Sequence, residues 1–302
     1  MPVTRFPNGV SSFGVPILGS GPIFTTGNIF FVDSGATNAG DNTRAGAGPD
    51  FPFATIDYAV GRCTANNGDH IIVMPGHAET VSAAGGLDLD VAGITIIGVG
   101  AGPDTPTVTL DTANTADVDV DAAGITVENI HFIANFLDIA AAIDVNANDF
   151  TLRGCRFSET SVILNAAIWI QDHLTTSDRI TVQGCRGTAY GTANTHFINF
   201  AGVGVGHIIA DNILMGDWAT MCIGGAGVVD QCLITRNQIL NVVATADTCI
   251  SVAATAEGII SDNRCAGGHA TDGIVNGDMG AFENYYEDQD TDLSGSLEPA
   301  VA

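Results

Sequence analysis

The chain has 302 residues, 46% of them hydrophobic, enough for an extended core, and a formal net charge of −25 set by 34 acidic residues against nine arginines and no lysine. That balance excludes a basic nucleic-acid-binding face, and the missing lysine excludes phosphate-loop and Schiff-base chemistry. Seven scattered cysteines with no CxxC pair fit buried thiols in a reducing compartment better than a zinc knuckle or a disulfide framework.

The opening MPVTRFPNGVSSFG lacks the pattern of a secretion signal, and no apolar run approaches membrane-spanning length, so a soluble protein is expected. Residues 1–28, rich in Gly, Pro, Ser and Phe without periodicity, read as an extended N-terminal arm. Phe6, Phe13, Ile17 and Phe24, with Phe30 just beyond, would give that arm apolar anchors for a partner; a cap on the base of the fold is the plainer alternative. Residues 53–63 (FATIDYAVGRC) predict one short capping helix, with Ile56, Ala59, Val60 and Cys63 on one face and Asn66, Asn67 and Gly68 ending it. HIIVMPG, residues 70–76, predicts a strand that leads into the first coil.

From residue 94 one short pattern returns almost to the end: ITIIG (94–98), ITVEN (125–129), FTLRG (150–154), ITVQG (180–184), IIADN (208–212), LITRN (233–237) and IISDN (259–263), with starts 25 to 31 residues apart. Each is a β-rich run closed by a residue that tolerates a left-handed backbone. Upstream of most copies lies an alternating run such as LDLDV (87–91), VDVD (118–121), AIDV (142–145) or FINF (197–200). Two strand signals per coil predict an all-β chain, a right-handed parallel β-helix over residues 29–280, followed by an acidic tail, 281–302.

Coils of constant register place equivalent residues in columns. Asn212, Asn237 and Asn263 would form a structural ladder of stacked amides. Cys155 and Cys185 share one offset, and Arg156 and Arg186 the next. Asp88, Asp119 and Asp144 each precede a repeat start by six residues; Asp90 and Asp121 share a second offset, continued by Asn146. A solvated acidic face is the plainest reading of these columns, with a calcium site or a glycosidase's acid and base as alternatives. Outward arginines (Arg153, Arg156, Arg179, Arg186) are expected to pair with Glu128, Asp149, Glu159 or Asp178. The seven histidines are dispersed and show no metal-binding motif. Near the end, Asp290, Asp292, Ser294 and Gly295 match a calcium loop, but Val301 stands where a bidentate Glu is required. No catalytic residue and no cofactor is assigned; Asp88, Asp119, Asp144, Asp290 and Asp292 are weak calcium candidates.

The stretch Asp33–Thr80, with its Gly/Asn-rich loop, FPFATIDYAVGRC and NNGDHIIVMPGHAET, resembles the opening segment of pectin-lyase-like β-helix proteins, and the resemblance extends over roughly residues 33–280. VTRFPNGV (Val3–Val10) resembles the start of virion structural proteins of tailed bacteriophages. Together these resemblances imply a non-enzymatic virion protein: a homotrimeric capsid decoration or cement protein, assembled in the host cytoplasm and carried on the capsid surface. Its arm would hold the major capsid protein or another virion protein, with neither nucleic acid nor membrane as partner. In the lyases of this fold an Arg acts as base beside calcium-binding carboxylates, and no local motif here matches that signature. The alternatives are a tail spike or fibre that binds or cleaves host surface polysaccharide, as a lyase or glycosidase, and a passive glycan-binding module.

Overall fold

In a computed structural model, which describes residues 10–12, 15–18, 21–22, 25–173, 177–191, 193–242, 248–267, 273–286 and 295–297, each repeat copy found in the sequence supplies a strand of one sheet. Each complete coil adds one strand to each of three sheets. The first has eight strands, Leu87–Asp88 to Ile274–Val275; the second has ten, Ile29–Val32 to Gly280–Phe282; the third has ten, Ala78–Val81 to Gly295–Leu297. Within these sheets pairing is parallel and between coils, apart from Gly295–Leu297, which runs antiparallel to Asn284–Tyr286. The fold is the expected right-handed parallel β-helix.

Alternation explains the inward and outward faces. In Val118–Val120 both valines are buried and Asp119 points outward. Ile96, Val127, Leu152, Val182, Ile209, Ile234 and Ile260 stack in register through the second sheet, all buried; each such side chain contributes about 2–3 kcal/mol on leaving water. The third sheet stacks Phe132 on Phe157 at 5.3 Å between ring centroids, and Phe157 meets Phe197 edge-on at 5.1 Å. Gly187 follows Phe157 in register. A β-carbon there would lie 2.6 Å from the Phe197 ring, so the aromatic cluster requires a glycine.

In the seven coils from Asn129 onward the turn from second to third sheet is made by one left-handed residue each: Asn129, Gly154, Gly184, Asp211, Arg236, Asp262 and Glu283, with φ between 54° and 66°. The motif's closing Gly or Asn holds this position in the copies ending at Asn129, Gly154 and Gly184. In the later copies the residue before the Asn takes it. Thr181, not Ile180, pairs with Ile208, a slip of one residue that turns the three asparagines inward.

The helix is shorter than predicted, Ile56–Val60 rather than 53–63: the Thr55 hydroxyl caps its start by accepting the Tyr58 N–H, and Gly61 ends it. Ile56, Ala59 and Val60 are buried over the first coil. Buried Glu79 fixes the helix from below, accepting the Ile56 N–H at 2.8 Å and facing His77 Nε2 at 3.3 Å. Two predicted boundaries are corrected. Residues 10–22 do not run as a plain extended arm, because Val10–Ser12, Val15–Leu18 and Gly21–Pro22 form a separate antiparallel three-stranded sheet. The acidic tail does not begin at 281, because Gly280–Phe282 and Asn284–Tyr286 continue the second and third sheets, the latter held by the inward Asn284 amide.

Candidate functional site

The acidic columns form as their spacing predicted. Asp88, Asp119 and Asp144 stand side by side on adjacent strands of the first sheet, facing outward, with Gln171 next. Around them Asp117 accepts the Gly85 N–H at 2.6 Å, Asn146 donates to Asp121 at 2.9 Å, and His173 Nδ1 lies 3.0 Å from Asp144. Burial, together with Asp117, Asp121, Asp144 and Asp88, raises the Asp119 carboxyl to about 6. Asp88, Asp117 and Asp144 are also raised, in each case chiefly by burial. This face concentrates mutually repelling carboxylates and takes up protons readily.

The carboxylates are strung along the axis rather than converging, and among the described residues no three His, Cys, Asp or Glu side chains are grouped to hold a metal ion. Asp88 Oδ1 is buried without a hydrogen-bond partner, but Asp117 and Asp144 have oxygens committed elsewhere. Asp290 and Asp292 lie outside the described residues.

The amide ladder is present and longer than predicted. Asn212, Asn237, Asn263 and also Asn284 point into the core. Each donates one Nδ2 hydrogen to a carbonyl of the preceding coil: Val182, Ile209, Ile234 and Ile260 in turn. Asn212, Asn237 and Asn263 donate the other to the next Asn oxygen. Cys185 and Cys155 extend the column downward, their thiols facing the Leu152 and Val127 carbonyls in the equivalent place. These are structural positions.

Of the predicted anchors, Phe6, Phe13 and Phe24 lie outside the described residues, and Ile17 falls in the strand Val15–Leu18. Phe30 is corrected: it packs against the solenoid core, 5.8 Å from the Phe53 ring. The arginine pairing is confirmed in part. Arg153 holds Glu128, Arg179 holds Asp149 and approaches Asp178, and Arg236 holds Asp211. Arg156 and Arg186 do not pair with Glu159, whose carboxylate accepts the N–H groups of Tyr190 and Gly191 instead.

Sequence reading missed a buried polar cluster at the corner between first and second sheets. The Ser177 hydroxyl donates to Asp172, His207 Nε2 lies 3.6 Å from the same carboxylate, and His207 Nδ1 accepts the Ile180 N–H. All three side chains are buried, and the serine addresses the carboxylate rather than the imidazole. The arrangement fixes a turn rather than activating a nucleophile. Its members come from two coils, so no local spacing announces it.

No family model matches the chain and no curated protein matches it in sequence. Among solved structures it is similar to a rhamnogalacturonan lyase (11% identity, TM-score 0.49, 80% of this chain and 74% of the other). It is also similar to the pectin methylesterase of Aspergillus niger (15%, TM-score 0.39, 93% of each chain) and the GH136 lacto-N-biosidase of Eubacterium ramulus (12%, TM-score 0.37, 86% and 68%). These are likenesses of fold. The strand topology defines the class, a right-handed parallel β-helix.

Proposed function

We propose that this chain is a non-enzymatic structural protein of a tailed-bacteriophage particle. In this reading it is a homotrimeric decoration protein on the capsid surface, held by its N-terminal segment to the major capsid protein or another virion protein. One observation carries the reading: the chain is built in two parts. The strands within 10–22 pair with one another and add nothing to the solenoid sheets. The solenoid proper begins where Asp69 clamps Asn28, its carboxylate accepting the Asn28 N–H at 2.6 Å and the Thr64 N–H at 2.7 Å. A stiff block preceded in the chain by a self-contained, apolar-rich segment suits attachment to a larger surface. The likeness of VTRFPNGV to virion proteins points the same way.

Deleting residues 1–24, which spares Asn28, tests this. The solenoid should stay folded by circular dichroism and lose co-sedimentation with particles. Retained binding would contradict the anchor, and loss of folding would make the segment a cap. The in-register Asp88, Asp119 and Asp144 favour a second reading, a tail spike that cleaves host polysaccharide. Asp119→Asn with Asp144→Asn would then abolish a cleavage measurable in the parent chain.

A further inference from the structure

The outward face of the third sheet, like that of the second, whose strands hold only Glu128, is poor in acids and contrasts with the first-sheet column of Asp88, Asp119 and Asp144. Its strands from Thr107–Leu110 to Asn284–Tyr286 contain a single carboxylate, Glu159, in a chain with 34 acidic residues. That carboxylate is occupied by backbone N–H groups. One outward column runs Arg156, Arg186, Ile213, Gln238, Arg264 and Tyr285 in register. Arg156 and Arg186 sit on adjacent strands, about 4.8 Å apart at the backbone, both exposed. Neither has a carboxylate partner among the described residues, whereas Arg153, Arg179 and Arg236 each have one.

Like charges directly opposite on neighbouring strands are unfavourable, and this chain has acids in excess that could have neutralised them. Elsewhere on this face Met215, in register with Thr188, is 40% and Tyr285, in register with Arg264, is 52% exposed. Arginine, methionine and tyrosine enriched while acids are depleted is the composition of a protein interface.

The first sheet supplies the complementary surface. Asp119 and Asp144 stand on adjacent strands as Arg156 and Arg186 do, so both ladders share one rung spacing. We infer that the third-sheet face of one copy docks on the first-sheet face of a second copy of this chain, Arg156 and Arg186 against the Asp88, Asp119 and Asp144 column. The contact joins two different surfaces, so it is heterologous and closes a ring when the rotation between copies permits. It gives the homotrimer of the proposed function a defined interface; the subunit number rests on that reading, the charge match does not.

The test is sedimentation velocity of the full chain at about 0.1 M and about 1 M NaCl, where screening lengths are roughly 10 Å and 3 Å. The parent chain should sediment as an oligomer at low salt and associate at least about tenfold more weakly at high salt. R156E/R186E should sediment as a single folded chain at both, and R156E/R186E/D119R/D144R, which swaps the charges, should regain the oligomer. An oligomer undiminished in R156E/R186E would overturn this interface while leaving a trimer standing. A parent chain that is monomeric at low salt would overturn both. A folded charge-swapped chain that stays monomeric would also overturn the interface. Particle attachment is read separately, through deletion of residues 1–24.

Discussion

The Asn237 side-chain oxygen accepts two bonds from Asn212 one coil away, from the backbone N–H at 3.1 Å and from Nδ2 at 2.9 Å. With the Nδ2 donations of Asn237 to Ile209 and Asn263, one buried amide satisfies polar groups in three consecutive coils. Replacing it with Ala strands several of them. Each buried group left unpaired costs about 1–3 kcal/mol, so Asn237→Ala should lower stability by about 3 kcal/mol or more in urea unfolding. Asn237→Asp should fare no better, because a carboxylate cannot donate to the Ile209 carbonyl. A loss below about 1 kcal/mol would show that the ladder is incidental.

The acidic face predicts an unusual pH response. The Asp119 carboxyl is raised from 3.8 to about 6 by burial and four neighbouring aspartates. Because the folded value lies above the unfolded one, its favourable contribution is complete below about 3.8 and is lost as pH rises through about 6. In the R156E/R186E background, where no partner arginines face it, Asp119→Asn should therefore stabilise the chain at pH 7, by about 1 kcal/mol after allowing for solvent screening of this partly exposed group. The gap between the two melting curves should close toward pH 4. Equal stability at pH 7 would remove the repulsion from the account.

Asp69 behaves in the opposite sense. Burial alone would raise it, but the N–H groups of Thr64 and Asn28 and the amides of Asn67 and Asn28 prevail and hold its carboxyl below the ordinary value. Its contribution is present above the unfolded value and is lost as pH falls through the lower folded one. Asp69→Ala should cost about 2–3 kcal/mol. It should also make the bond region around Gly27 and Asn28 more sensitive to limited proteolysis at neutral pH, with the solenoid core spared.

The thiols should be inert. Six of the seven free cysteines are buried and Cys63 is partly so. Burial, with a contribution from Asp69, pushes the Cys63 thiol up to about 12, and burial pushes Cys232 up to about 12. A thiol reagent at pH 8 should leave the native chain essentially unlabelled and titrate seven groups after unfolding.

Much of this fold is written in local sequence, and the losses have identifiable causes. The second sheet was legible because each copy sets two or three β-rich residues before a corner, and the Asp88, Asp119 and Asp144 column was legible because period-two alternation fixes what faces out. The third sheet was not. Strands such as Arg156–Glu159 and Arg186–Ala189 follow the corner closely and send few large apolar residues inward, so no alternation marks them. The slip at Ile208 was hidden because Gly184 and Asn212 close similar five-residue runs while doing different jobs, one adopting the left-handed turn and the other filling the core. Asn284 escaped because GAFEN begins with Gly and Ala instead of an apolar pair. The Ser177, Asp172 and His207 cluster, and the lack of a carboxylate partner for Arg156 and Arg186 among the described residues, depend on contacts across coils that spacing alone cannot reveal.

Cryo-electron microscopy of purified particles from the source of this chain addresses the central claim most directly. The account predicts β-helical density fitting residues 29–286 in groups of three on the capsid shell, with the N-terminal strands seated among capsid subunits and third-sheet arginines facing a neighbour's first sheet. Density for the chain at the tail tip, or its absence from every particle, would contradict a decoration role.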